Sequence, residues 1–171
     1  MLSPVSLPDA QAERGLRAST PRAESTTATD DVQTGLVGGL ISRPHRPVRI
    51  LVVDDHEGFR SSMVQALDLI PDVEVAGEAR SGDEACNVVL TLKPDVVLLD
   101  LSMPGMDAMD ATRRIRRVNP GSQVVVLSAF DGPQIEQAAL AAGAWGLVPK
   151  GTPLEDVVGV LLNAAEQPPT R

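Results

Sequence analysis

From about residue 48 onward, short continuous apolar runs alternate five times with longer amphipathic stretches. The runs cover 48–53, 73–78, 95–99, 123–127 and 146–148, and they are rich in Val and Leu. Between and after them, apolar residues recur at helical spacing, which predicts helices over 57–70, 82–92, 107–118, 133–142 and 153–166. Strands apolar on both faces, each followed by a helix, imply an α/β fold with a parallel sheet covered on both sides. Local signals agree. Ser81 followed by Glu84 reads as a capping box. Pro94 and Pro120 stop helices ahead of the third and fourth strands. Pro133 and Pro153 suit first-turn helix positions.

The first 47 residues have no such period. They hold five prolines, a Ser/Thr/Ala run from 25 to 29, and five arginines balanced by five acidic residues. Such a segment buries too little apolar surface to offset its ordering entropy, and it is expected to be a disordered tail. Its one apolar knot, GLVGGLI at 35–41, has three glycines and is too short for a membrane, so it is taken as incidental sequence. Residues 167–171 are expected to be a short C-terminal tail. The domain then spans 48–166.

Composition narrows the function. Lys+Arg 15 against Asp+Glu 23 gives −8, which argues against a binder of DNA or anionic membrane driven by charge. Aromatic residues are 2% of the chain and Tyr is absent, so a base-stacking platform is not expected. One cysteine and two histidines exclude a disulfide framework and a Cys- or His-rich metal cage. No apolar run approaches 18 residues, and Met1–Ala10 lacks a secretory pattern. The expectation is a cytoplasmic, acidic, single-domain protein that neither binds DNA directly nor enters a membrane.

In an open parallel sheet, chemistry gathers at the carboxyl ends of the strands. Here the first run ends in Asp54-Asp55, the third in Asp100, the fourth in Ser128, and the fifth is followed by Lys150, one of two lysines in the chain. Three neighbouring carboxylates repel unless a cation neutralises them, and an oxygen-only ligand set suits Mg²⁺. Asp100, alone at the end of VVLLD, is placed as a nucleophile toward phosphorus. Ser128 can hydrogen-bond a phosphoryl oxygen, and Lys150 can pair with it as a point charge. A strand-terminal Asp often does no more than cap the next element. A lysine at the fifth strand end has no capping use, and the four ends together point to phosphoryl transfer.

The segments ILVVDDHEGFR, VVLLDLSMPGMDAMDATRRIR, VVVLSAFD and AAGAWGLVPKGTP resemble the receiver domain of bacterial two-component response regulators of the NarL/FixJ type, over about 48–166. The resemblance implies a flavodoxin-like (βα)5 sheet in order 2-1-3-4-5. It implies phosphoryl transfer from a sensor histidine kinase to Asp100, with Mg²⁺ held by Asp54, Asp55, Asp100 and the Ser102 carbonyl. Ser128, Lys150 and the Ala129 N–H would engage the phosphoryl group. Phe130 matches a family position that influences dephosphorylation, and a large apolar ring there is expected to shield the acyl phosphate from water. The downstream protein or homodimer contact is expected on the fourth helix, fifth strand and fifth helix. Trp145 is its candidate anchor, with a core role as the alternative.

Three departures from the family pattern stand out. Leu147 replaces the usual Tyr or Phe three residues before the lysine, which removes the family's rotameric aromatic. Ala108 stands where Gly is frequent after the MPGMD turn, and if that position needs positive φ, Ala costs on the order of 1 kcal/mol. The chain stops just after the fifth helix, without the helix-turn-helix output domain usual for this type. The leading expectation is therefore a stand-alone receiver acting by protein contact or phosphorelay. The alternative is a truncated regulator that dimerises or competes with full-length relatives. A phosphatase with an aspartate nucleophile is set aside, because its second acid would fall at Ser102, which cannot protonate a leaving group. The chain is thus read as a phosphoacceptor and not an enzyme. Arg113, Arg114, Arg116 and Arg117 are read as a solvated helix face paired to Asp107 and Asp110. Cys86, Met103, Met106 and Met109 are read as packing residues, and His56 as a local hydrogen-bonding group.

Overall fold

The computed structural model describes residues 46–130 and 132–167, so the expectations for the tails fall largely outside the described residues. Five strands and five helices alternate: β1 (Val48–Val53), α1 (Glu57–Leu67), β2 (Val73–Ala79), α2 (Gly82–Leu92), β3 (Val96–Asp100), α3 (Ala108–Val118), β4 (Gln123–Ser128), α4 (Pro133–Ala141), β5 (Gly146–Pro149) and α5 (Leu154–Glu166). The sheet is wholly parallel in order β2-β1-β3-β4-β5, the flavodoxin-like arrangement expected.

Strand chemistry explains the layers. Side chains alternate between faces. Leu51, Val53, Val97, Leu99, Val124 and Val126 pack against α2, α3 and α4, while Ile50, Val52, Val96, Leu98, Val125 and Leu127 pack against α1 and α5. Each Val or Leu so buried contributes about 1.5–3 kcal/mol relative to exposure. β3 and β4 are buried along their whole length, and β3 is the middle strand. The carboxyl end of β3 therefore lies at the centre of one sheet edge.

Several local expectations need adjustment. α1 ends at Leu67 instead of 70. Pro71 biases Ile70 away from helix, and the chain must enter β2 two residues later. Ser81 does cap α2 by accepting from Glu84 N at 3.2 Å, but Glu84 reaches back to Arg80 N at 2.9 Å and not to the cap residue itself. Pro153 is the N-cap of α5, one position before its first turn. Ala108 begins α3, and the positive φ of the preceding turn falls on Gly105 at 93°, so Ala108 carries no such strain. Arg46, assigned to the tail, forms a two-pronged pair with Asp95 at 2.7 and 2.8 Å. Among the described residues, no helix is long and apolar enough to cross a membrane.

The α2–α3 contact offers a direct test of this packing. A Cβ added to Gly82 would stand 2.9 Å from the Ala111 Cβ, and Ala111 is fixed on α3. Gly82→Val should therefore lower stability by about 1–3 kcal/mol through overpacking, read from urea midpoints. Gly121→Ala, whose added carbon would meet only the Asn119 side-chain oxygen at 3.6 Å, serves as the near-neutral control. Equal midpoints for both variants would contradict the close approach.

Candidate functional site

At the carboxyl edge of the sheet, Asp54 follows β1 and Asp100 ends β3, its immediate neighbour. Both are almost fully buried, at 0% and 2% exposure, whereas Asp55 faces solvent. Carboxylate oxygens of all three lie within 4.8 Å of one another. Lys150, just past β5, reaches between the two buried acids, with Nζ 2.8 Å from one oxygen of Asp54 and 3.0 Å from one of Asp100. The other oxygens accept backbone N–H groups. Asp54 takes that of His56 at 2.8 Å, and Asp100 that of Ser102 at 3.2 Å. No described buried side-chain polar atom lacks a partner.

Burial pulls the Lys150 ammonium toward its neutral form, but its hydrogen bonds to Asp54 and Asp100, reinforced by their charges, hold its pKa above the ordinary lysine value. One ammonium against three carboxylates leaves two negative charges. A single divalent cation would neutralise them. The donors are all oxygen, one of the three acids is open to solvent, and the small ligand number leaves room for water, which suits Mg²⁺. The residues present therefore fit that ion, with Asp54, Asp55 and Asp100 as its holders.

A family model described as the response regulator receiver domain matches residues 50–161. The chain belongs to the response regulator receiver family. Response regulator GacA of Pseudomonas viridiflava is 39% identical over 111 residues, covering 65% of this chain and 52% of GacA. The signal receiver domain of the putative response regulator NarL from Mycobacterium tuberculosis superimposes with a TM-score of 0.67 at 38% identity, covering 70% of this chain and 97% of that one. The isolated receiver domain of RcsB from Salmonella enterica serovar Typhimurium, solved with the phosphomimetic BeF3⁻, gives 0.62 at 28% identity, covering 68% and 87%. The chain spans about half the length of the curated relatives it matches. Receivers of this family are phosphoacceptor signalling domains with an acidic Mg²⁺ pocket.

Around this receiver's acidic cluster the remaining expected residues take distinct places. Ser128 is buried, and its hydroxyl is closed on its own loop, donating to the Phe130 carbonyl at 2.6 Å and accepting from Phe130 N at 3.0 Å. Phe130 is 64% exposed. Leu147 is half-buried against the core that faces α2, α3 and α4. Trp145 is also half-buried, packed against the α1–α5 core, with its indole N–H on the Gln167 side-chain oxygen at 3.2 Å. His56 caps α1, its Nδ1 accepting from Phe59 N at 3.4 Å.

Other readings sort similarly. Cys86, Met103, Met106 and Met109 pack in or against the core, and burial pushes the Cys86 thiol up. In the arginine cluster, Arg113 pairs with Asp110 one turn back, but Arg114 reaches Asp83 on α2, and Asp107 spends its carboxylate capping α3. Two residues that the sequence reading does not single out also reach the site. The Phe59 ring lies 4.4 Å from Lys150 Nζ, and Arg60 donates to the Asp54 carbonyl at 2.8 Å and to Glu78 at 3.0 Å.

Lys150→Met should leave Asp54 and Asp100 as unpaired buried charges and lower stability on the order of 3 kcal/mol. Adding Asp100→Asn should recover part of that loss by removing one of the stranded charges. Urea unfolding of the single and double variants measures both. A neutral Lys150→Met would show that the ammonium does not hold this edge together.

Proposed function

We propose that Asp100 accepts a phosphoryl group from a sensor histidine kinase in a Mg²⁺-dependent step, and that the new charge is read by protein–protein contact or passed on in a phosphorelay. The observation that carries this reading is the buried Asp100 carboxylate at the centre of the sheet edge, with Lys150 Nζ at 3.0 Å and two further acids beside it. An oxygen of Asp100 attacks phosphorus, the bond from phosphorus to the donor imidazole nitrogen breaks, and that nitrogen takes a proton from solvent. The product is an acyl phosphate on Asp100. When bound at Asp54, Asp55, Asp100 and the Ser102 carbonyl, Mg²⁺ supplies positive charge beside the transferring phosphoryl oxygens.

The chain's own groups do the rest. Lys150 exchanges its contact with Asp100 for one with a phosphoryl oxygen, keeping Asp54 as its other partner. Ser128 releases the Phe130 carbonyl and turns its hydroxyl to the phosphoryl group, helped by the Ala129 N–H. Phe130 then covers the acyl phosphate against water. Because Leu147 has no aromatic ring to swing, the response travels through Ser128 and its loop toward α4, β5 and α5, where Trp145 offers an anchor to a downstream protein or a second copy of the chain. The reading places the protein in the cytoplasm, beside the kinase that serves it.

Incubation with acetyl phosphate and Mg²⁺ should add the mass of one phosphoryl group to the intact protein, and Asp100→Asn should abolish the gain. Persistence of the gain in that variant would move the phosphoacceptor elsewhere.

Mg²⁺ alone should raise the melting temperature by mass action, worth about 2.7 kcal/mol at 100 times Kd. Asp55→Ala should remove most of that rise, and an equal rise in both proteins would take Asp55 out of the site.

A further inference from the structure

We propose that Phe59, in the first turn of α1, is a positioning residue for Lys150, confining the ammonium to the gap between Asp54 and Asp100. This rests on the phosphoacceptor reading of Asp100. The ring centroid lies 4.4 Å from Nζ, within the range at which an aromatic face attracts a cation. The ammonium is thus held by two carboxylates and one ring face, at 2.8, 3.0 and 4.4 Å. Each contact comes from a different element: the end of β1, the end of β3 and the start of α1.

Phe59 is itself held in place. Its backbone N–H is capped by His56, and its ring joins the apolar layer between α1 and the sheet. The next residue, Arg60, ties the same turn to the carbonyl of Asp54 and to Glu78 on β2. The turn that carries the ring therefore moves with the acid that Lys150 pairs with. A lysine side chain has four rotatable carbons and a strongly hydrated head, so two carboxylates alone would leave it free to tilt outward. The ring closes one side. It matters most during transfer, when the Asp100 contact is given up and Nζ has to find a phosphoryl oxygen without drifting into solvent. Pre-set geometry of that kind is where positioning contributes to rate.

The chain's two lysines, Lys93 and Lys150, make this directly observable. In the whole 171-residue chain labelled with ¹³C and ¹⁵N at lysine, two sets of ε-methylene signals are expected, with Lys150 displaced by the nearby ring. Phe59→Leu should return the Lys150 ε-proton shift toward that of Lys93 and leave Lys93 unmoved. It should also slow phosphorylation by acetyl phosphate roughly three- to tenfold, the range a half-buried cation–π contact carries. Phe59→Tyr should keep both the shift and the rate. Should Phe59→Leu fold poorly, Phe59→Met supplies the ring-free comparison. An unmoved Lys150 signal on loss of the ring overturns the proposal, and so does a moved signal with an unchanged rate. If the wild-type protein takes up no phosphoryl group at all, the phosphoacceptor reading fails, and the lysine signals still decide whether Phe59 confines Nζ.

Discussion

The ion cluster of Asp54, Lys150 and Asp100 is the constraint around which the carboxyl edge of the sheet is arranged. Two carboxylates at 0% and 2% exposure repel each other and are costly to bury side by side in an apolar surrounding without compensation. Lys150 supplies the compensation from β5, two strands away from Asp100 in the sheet. The Lys150 N–H on the Ser128 carbonyl at 2.6 Å brings its backbone alongside the end of β4, so the side chain crosses in front of β4 to reach its partners. The order of strands is thus a chemical requirement as well as a packing solution. The connections leave β1 and β3 in opposite directions across the sheet, β1 toward β2 and β3 toward β4, and the acids lie in the crevice that opens where the strand order switches.

The cluster is also incomplete by design of its charges. One ammonium against three carboxylates leaves a deficit that a divalent ion removes, and an arriving phosphoryl group then alters the balance by roughly −1.5 to −2 charges. Lys150 is common to both states, because it bonds Asp54 as well as Asp100. It can surrender one partner and retain the other. Ser128 is the complementary part. Its hydroxyl is satisfied within its own loop, so redirecting it toward a phosphoryl group breaks a hydrogen bond to Phe130 and frees the loop that leads to α4. On the proposed reading, charge at Asp100 is coupled to backbone position through that one exchange.

The alternation of apolar runs with helical periods is enough to read a parallel sheet and, within a few residues, every element, because doubly buried parallel strands leave little ambiguity in a sequence such as VVLLD or QVVVLS, whereas the strand order rests on the family resemblance. The acids and Lys150 were readable for the same reason, since polar residues at the ends of such strands have no packing use. Turn geometry was harder. Whether Gly105 or residue 108 carries the positive φ depends on how Asp107 caps α3, and Asp107 had been assigned to an arginine. Phe59 and Arg60 escaped notice because contacts across the fold leave no periodic trace: an aromatic on an amphipathic helix looks like core, and an arginine on the same helix looks like surface. Trp145 was ambiguous for a physical cause that persists in the structure, since its ring packs on the α1–α5 core while its N–H is held by an exposed glutamine.

Leu147 sets the remaining limit on how such a switch works. Carrying a two-state equilibrium from 1:99 to 99:1 takes about 5.5 kcal/mol of differential interaction. An aromatic that exchanges an exposed for a buried position could contribute a share of this from burial of its ring, as a fully buried large apolar side chain is worth about 1.5–3 kcal/mol. Leu147 is already half-buried against the core facing α2, α3 and α4, so less of its surface is left to gain. The balance has to come from the charged groups themselves, from the Lys150 and Ser128 exchanges at the phosphoryl group, and from whatever a partner adds by preferring one form. On the reading proposed above, a receiver built this way is shifted only part of the way by phosphorylation, and a partner that prefers the shifted form completes the transition.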